Sequence, residues 1–106
     1  MNSCVFCQHD SLDTVYKDEH VRIILNKYPK FIKHYLIIPN QHFNDIIDLH
    51  NRNIELYNYM HCNLCKFASI LNLEHFSIAS NCGALSGQSV FHYHIHMSQG
   101  EYLENK

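Results

Sequence analysis

Long apolar runs, clustered basic residues and internal repeats are all missing from this 106-residue chain. No apolar stretch approaches the roughly 20 residues that a membrane-spanning helix requires, and the start, Met1-Asn2-Ser3-Cys4, lacks the basic segment of a secretory signal. Without a lysine or arginine block, and with a formal charge of −2, broad binding to nucleic acid backbones is disfavoured. We therefore expect a cytoplasmic protein that binds neither membranes nor nucleic acids at large.

No linker interrupts the chain, and 106 residues with 46% hydrophobic content can form one core. We expect a single domain over 1–106. Cysteine and histidine are plentiful, at five and ten residues. In a reducing compartment, an odd number of cysteines indicates metal ligands, reactive thiols or small core residues rather than disulfides.

The hydrophobic pattern predicts an α+β fold: a mostly antiparallel sheet with one long amphipathic helix and one short helix. Apolar residues recur every three or four positions over 54–71, which is typical of a helix packed on a sheet. A short helical turn is predicted over 43–49. The predicted strands are 14–16, 21–26, 35–39, 76–80 and 90–98, the second and third joined by a turn at Pro29.

Three histidines, His92, His94 and His96, alternate with apolar residues in the last predicted strand. Because successive side chains of a strand point to opposite faces, we expect the imidazoles on one face and Phe91 and the other apolar neighbours in the core. At about 3.3 Å per residue, the outer two histidines lie roughly 13 Å apart, too far to share one small metal ion with the third. The three must divide the chemistry between them.

The triplet, the preceding Gly87-Gln88-Ser89 and the segments 25–29 and 34–39 together resemble the histidine-triad (HIT) superfamily of nucleotide hydrolases and transferases. The resemblance spans nearly the whole chain. The superfamily signature ends in two apolar positions, which Met97 fits and Ser98 does not. The fold expected from the resemblance is the same α+β class.

The resemblance implies a nucleotide hydrolase that cleaves at the α-phosphorus of a dinucleoside polyphosphate or a nucleoside phosphoramidate. A neutral imidazole can approach phosphorus without the repulsion that an anionic nucleophile meets. His94 would be the nucleophile and form a covalent nucleotidyl-histidine intermediate, while His96 would donate to phosphate oxygens. With Ser89 these residues form the expected catalytic set.

The resemblance also implies a set of nucleotide-binding residues. The loop amides near Gly87 and the polar side chains around them would stabilise charge on the phosphoryl oxygens, Gln88 and Ser89 would contact the leaving group or bridging oxygen, and Asn26 would bind the ribose. With an asparagine at this position, the segment resembles the branch of the superfamily that acts on dinucleoside polyphosphates. The full set is Asn26, Asn81, Gly87, Gln88, Ser89 and His96.

Cys4 and Cys7 form a Cys-x-x-Cys pair, whose spacing lets two thiolates bind one tetrahedral ion. In zinc-containing superfamily members, and in the similar galactose-1-phosphate uridylyltransferases, such a pair is completed by two histidines. The matching positions are His42, after the third predicted strand, and His92. The resemblance thus implies a structural Zn²⁺ held by Cys4, Cys7, His42 and His92.

Several alternatives stay open. Cys62 and Cys65 form a second Cys-x-x-Cys pair that could complete a four-cysteine zinc site. Two neighbouring histidines of the triplet could instead hold a catalytic metal. On the same scaffold, the chain could act as a nucleotidyltransferase or phosphorylase, or bind nucleotides without turnover.

Besides a nucleotide substrate, the expected partner is a second copy of the chain. Members of the superfamily commonly form homodimers through the long helix and a sheet edge. In this chain Tyr57, Tyr59 and Met60 of the predicted helix would contribute to that contact.

Overall fold

The computed structural model describes residues 4–103 and contains a five-stranded sheet in the order β1-β2-β3-β5-β4. The strands are β1 (Thr14–Lys17), β2 (Val21–Leu25), β3 (Phe31–Pro39), β4 (Ser77–Ala79) and β5 (Ile95–Tyr102). The helices are α1 (Ile46–Arg52), α2 (Ile54–Cys62) and α3 (Leu64–Ile70). Every neighbouring pair of strands is antiparallel, which confirms the predicted α+β class.

Both faces of the sheet bury apolar side chains. On the helix side, Met60 and Phe67 have no exposed surface and belong to the same core cluster as Ile37. On the other side, Phe6 from the N-terminal segment packs in a smaller cluster that includes Leu36. Within residues 4–103, no helix combines the length and apolar character needed to cross a membrane.

The one long helix predicted over 54–71 is wrong, because the structure divides it at Asn63 into α2 and α3. The Asn63 side-chain amide donates to the Tyr59 carbonyl (2.7 Å), a bond that competes with the backbone bond of a continuous helix. The Asn63 backbone, at φ −103° and ψ 12°, departs from helical values. The apolar stripe nevertheless continues through the break.

The last strand begins later than predicted, at Ile95 instead of residue 90. Ile95 pairs with Ile37, close to the end of β3, so the preceding residues run beyond most of their partner strand. The Tyr93 N–H donates instead to the Phe43 carbonyl (2.6 Å), outside the sheet. The first two histidines of the triplet therefore lie just before β5.

The alternation of the triplet survives this loss of regular strand. Tyr93, Ile95 and Met97 lie in the helix-side core, as the period of two predicts. Phe91 does not, because it precedes the paired region and is 47% exposed. The prediction of a core residue is thus wrong for Phe91 alone.

The helix residues expected at a dimer contact mostly face inward. Met60 is fully buried, and the Tyr59 hydroxyl donates to Asp18 in the β1–β2 turn. Tyr57 and Tyr59 are both half-buried. A homodimer stays a prediction, and Met60 is not available to its interface.

The burial pattern along β3 predicts two very different costs for the same substitution. Ile37 has no exposed surface, whereas Ile32 is 61% exposed. We expect Ile37→Ala to lower the free energy of unfolding by about 2–5 kcal/mol because it leaves a cavity, and Ile32→Ala by less than about 1 kcal/mol. Urea denaturation of both variants measures this; equal losses would contradict the described packing.

Candidate active site and metal cluster

Cys4, Cys7, His42 and His92 meet at one point, with all ligand atoms within 4.8 Å of one another. Cys7 Sγ lies 3.4 Å from Nδ1 of both histidines, and Cys4 Sγ lies 3.4 Å from His92 Nδ1. Around a tetrahedral zinc ion, sulfur and nitrogen ligands lie roughly 3.5 Å apart. These four side chains therefore fit such an ion.

The second ring nitrogen of each histidine in this cluster has an acceptor. His92 Nε2 donates to the Pro39 carbonyl (2.9 Å), and His42 Nε2 donates to Asn44 Oδ1 (2.9 Å). Such outer contacts place the proton on Nε2 and leave Nδ1 free to act as a ligand. Burial also lowers the pKa of His92 to about 4, which favours the neutral ring that a metal needs.

The second Cys-x-x-Cys pair lies elsewhere. Cys62 and Cys65 are exposed, one at the end of α2 and one in α3. In the described part of the chain, the Cys4 cluster is the one group that brings three or more ligand-type side chains together. The structure thus gives no support to a four-cysteine site, nor to a site of three or more such ligands built on His94 and His96 in that part of the chain.

The N-terminal segment also forms a wall beside the histidines. The Phe6 ring meets the His92 and His94 rings edge-on, with centroid distances of 5.8 and 5.3 Å. Since Phe6 stands between Cys4 and Cys7, the two thiols of the cluster and this wall come from one short segment. Val5 and Phe6 both line the cleft described next.

A cleft of about 480 Å³ opens on the face of the sheet opposite the helices. Its apolar wall includes Phe6, Ile24 and Leu36. The structure brings most of the predicted catalytic and nucleotide-binding residues to this one cleft. Those that line it are Asn26, Asn81, Gly87, Ser89, His94 and His96.

His94 is held in one tautomer by the backbone. Its Nδ1 donates to the His92 carbonyl (2.8 Å), so Nε2 carries the lone pair. Ser80 Oγ donates to the carbonyl of His94 itself (2.7 Å) and fixes the backbone there. Burial lowers the pKa of His94. A neutral, oriented imidazole therefore borders the cleft.

His34, which the sequence analysis did not include among the site residues, orients His96. The Lys30 N–H donates to His34 Nδ1 (2.9 Å), so the His34 proton is on Nε2, from where it donates to His96 Nδ1 (2.9 Å). His96 must then carry its own proton on Nε2. Burial is the main cause that lowers the pKa of both rings, to about 4 for His96. The strand period could have placed His34 on this face had the pairing with β5 been known.

The two predicted asparagines are held by local bonds. Asn26 Oδ1 accepts from the Tyr28 N–H (3.0 Å), and the Asn81 amide donates to the Ser86 carbonyl (2.7 Å). Gly87 has φ +93°, and a Cβ there would lie 3.5 Å from Asn81 Nδ2. Glycine thus suits both the backbone conformation and the close approach of Asn81.

The Gln88 side chain does not line the cleft. It is 4% exposed, and its amide donates to the carbonyls of Asn44 (2.6 Å) and Val90 (3.1 Å). Its oxygen accepts from the Gly83 N–H (2.8 Å). The side chain braces the loop before the triplet, so this placement gives no support to a contact between it and a leaving group.

The HIT domain family model matches residues 9–101 of the chain. The chain belongs to the HIT family. This HIT protein is 33% identical over 92 residues to an uncharacterized HIT-like protein of Chlamydia muridarum. The matched region covers 86% of this chain and 73% of the relative. It is 32% identical over 103 residues to Protein hit of Bacillus subtilis, and that match covers 90% of this chain and 69% of the relative.

Solved structures agree with the family assignment. A HIT family hydrolase from Clostridium thermocellum is similar with a TM-score of 0.83 at 29% identity, over 100% of this chain and 97% of that one. A histidine triad protein from Clostridium difficile gives a TM-score of 0.84 at 27% identity, with the same coverage. The resemblance inferred from the sequence is confirmed for family and fold.

The hydrogen bonds of this HIT protein predict opposite tautomers for two neighbouring rings. Near neutral pH, His94 should carry its proton on Nδ1 and His96 on Nε2. Long-range proton–nitrogen NMR correlations of the imidazoles measure this. His34→Ala should leave His96 in a mixture of tautomers. His50→Ala, which replaces an exposed histidine of α1, should not change the tautomer of His96. An unprotonated Nε2 on His96 in the unmodified protein would contradict the hydrogen bonds described from Lys30 to His34 and from His34 to His96.

Proposed function

We propose that this HIT protein is a nucleotide hydrolase that cleaves at the α-phosphorus of a dinucleoside polyphosphate or nucleoside phosphoramidate. The observation that carries the proposal is the pair of fixed tautomers: a lone pair on His94 Nε2 and a proton on His96 Nε2 border one cleft. A nucleophile and a donor are thus adjacent. The description of the similar Clostridium thermocellum protein as a hydrolase is consistent with this proposal.

In the proposed complex, the nucleoside lies against the apolar wall of the cleft and Asn26 binds its ribose. The amide nitrogen of Asn26 is 3.3 Å from His34 Nε2, but both atoms carry hydrogens, so the amide can donate elsewhere. The α-phosphate lies between His94 and the loop that carries Gly87 and Ser89. Loop N–H groups and the serine hydroxyl would stabilise its developing charge.

In the first step, the lone pair of His94 Nε2 attacks the α-phosphorus. A phosphorus–nitrogen bond forms while the bond from phosphorus to the leaving atom breaks, and its electron pair stays with that atom. A phosphate leaves as an anion, whereas the nitrogen of a phosphoramidate takes up a proton from solvent and leaves as an amine. The His94 ring becomes cationic and keeps its Nδ1 proton on the His92 carbonyl, which disperses the charge. His96 Nε2 donates a hydrogen bond to the leaving atom.

In the second step, water attacks the phosphorus of the nucleotidyl-histidine. The phosphorus–nitrogen bond breaks, its electrons return to His94 Nε2, and the water proton passes to solvent. The product is a nucleoside monophosphate, and the enzyme regains its starting tautomers. Splitting the displacement in this way replaces one difficult step by two easier ones.

Replacing the nucleophile should abolish turnover. We expect His94→Ala to lower kcat/KM by at least about 10³-fold, and His50→Ala, an exposed histidine of α1, to leave it within twofold. A panel of dinucleoside polyphosphates, nucleoside phosphoramidates and nucleotide sugars, assayed with and without phosphate, measures both hydrolysis and transfer. Mass spectrometry of enzyme that is rapidly quenched in alkaline denaturant should find a nucleotidyl adduct on His94, because the phosphorus–nitrogen bond is labile in acid. Full activity of His94→Ala would refute the proposal.

We further propose that the Cys4 cluster binds a structural Zn²⁺. Two thiolates and two imidazoles are the donor set that zinc prefers. Burial raises the pKa of the Cys4 thiol, and a bound cation would offset that cost by stabilising the thiolate. When bound, the ion would tie the N-terminal segment to the residues before β5, since His92 is one of its ligands.

Matched substitutions test this metal site. We expect about one zinc per chain by elemental analysis, lost in Cys4→Ser and kept in Cys62→Ser, because Cys62 lies outside the cluster. His42→Ala should also lose metal and lower Tm, whereas His50→Ala should do neither. Zinc that persists in Cys4→Ser but disappears in Cys62→Ser would show that the ligands are misassigned.

A further inference from the structure

Two smaller cavities extend the cleft past His96 along the same face of the sheet. The first, of about 220 Å³, shares His96 and Asn81 with the main cleft. The second, of about 250 Å³, shares Ser77 and Ser98 with the first. We call these two joined cavities the trough. Its position makes it a direct continuation of the site where the α-phosphate would lie.

Strand register explains why there is space beside His96. Ser98 of β5 stands between His34 of β3 and Ser77 of β4. Two pairs further along, and therefore on the same face, His96 stands opposite Ala79. Because serine and alanine are small, the sheet surface is lowered on the β4 side of His96, and this lowered surface is the floor of the trough.

Ser98 is also the position where the chain departs from the apolar ending of the histidine-triad signature. It is 5% exposed, and no hydrogen bond within residues 4–103 uses its hydroxyl. The hydroxyl is not among the fully buried, unpaired polar atoms of residues 4–103, so it reaches solvent and still has room for a hydrogen-bond partner. Since Ser98 lines the trough, a ligand there could supply it.

The charge around the trough favours an anion. Lys30 lines both the main cleft and the first cavity of the trough. Burial of the rings is the main cause that lowers the pKa of His34 and of His96, and the charge of Lys30 is a further cause for both. This is expected of an ammonium group close to the two rings. No carboxylate lines either cavity in the described part of the chain.

The tautomer of His96 points the same way. Its Nδ1 accepts from His34, so the ring is neutral and can donate a hydrogen bond through Nε2 but can lose that proton only as a costly imidazolate. A terminal phosphate leaves as a stable anion and needs no such proton. An amine leaving group does need one, so this arrangement suits a phosphate better.

We propose that the trough binds the leaving group of the substrate, and that Lys30 and Ser98 select a leaving group that begins with a phosphate. The inference rests on the proposed function and narrows its substrate class. With His94 attacking from the cleft and His96 donating to the leaving oxygen, the atoms beyond that oxygen enter the trough. Lys30 then pairs with the phosphate, and the Ser98 hydroxyl donates to it.

Two adenosine substrates with the same 5′-phosphoryl half test the proposal: diadenosine triphosphate, which releases a nucleoside diphosphate, and an adenosine phosphoramidate of a small amine. Lys30→Met should lower kcat/KM for the first by about tenfold relative to the second, because a charge-assisted hydrogen bond is lost. Ser98→Val, which restores the apolar ending, should lower the same ratio severalfold. A ratio unchanged in both variants would overturn the proposal.

Lys33→Met is the matched control. Lys33 lies on β3 opposite Gln99, one residue from His34 and so on the other face of the sheet. In this variant, the ratio of kcat/KM for diadenosine triphosphate to kcat/KM for the phosphoramidate should stay within twofold of its value in the unmodified protein. A drop as large as that of Lys30→Met would mean that net charge and not the trough is responsible, and would overturn the proposal.

A binding measurement separates this inference from the proposed function. If the unmodified protein cleaves neither substrate, the proposed hydrolase fails, but calorimetry with AMP and with a methylene-bridged diadenosine triphosphate still tests the trough. Lys30→Met should weaken binding of the bridged analogue about tenfold more than binding of AMP. Equal weakening of both ligands would refute the trough as a binding site, and unchanged unfolding curves would exclude misfolding as the cause.

Discussion

The three contacts of His92 connect every part of the site. Its Nε2 donates to the end of β3 at Pro39, its Nδ1 faces the two thiols, and its carbonyl accepts from His94. One buried residue thus joins the sheet, the metal cluster and the proposed nucleophile. Displacing its ring would move the acceptor that sets the tautomer of His94, although the two side chains do different work.

Similar rings perform different work here because their surroundings differ. Three histidines of nearly identical sequence environment become a candidate metal ligand, a proposed nucleophile and a proposed hydrogen-bond donor according to which nitrogen is already bonded. For His96 that choice is made on another strand, since His34 is itself oriented by the Lys30 amide. Burial keeps the rings neutral, and hydrogen bonds decide where each proton resides.

Local pattern was sufficient to predict the fold class and the approach of the two thiols, whereas His42, His92 and most residues of the cleft were predicted from the resemblance to the HIT superfamily. The period of two placed Tyr93 and Met97 in the core, and the Cys-x-x-Cys spacing brought both thiols together. The break at Asn63 could not be read from apolar spacing, since a single side-chain bond to Tyr59 causes it.

Long-range pairing accounts for the other differences. His34 joins the site only through its register with β5. The Gln88 side chain does not line the cleft, because its amide donates to the carbonyl of Asn44, which is distant in the sequence. The late start of β5 has the same origin, since Ile95 meets β3 near its end. Such facts belong to the arrangement of strands and are not encoded in any one segment.

The segment between the two cysteines has an evolutionary consequence. Val5 and Phe6 line the cleft and are flanked on both sides by residues that would hold an ion, so the shape of the cleft and the capacity to bind that ion are linked through one segment. A lineage that abandoned the thiols would need another way to keep an aromatic ring against His94. In such descendants, replacement of Cys4 or Cys7 should be accompanied by changes at Val5 and Phe6.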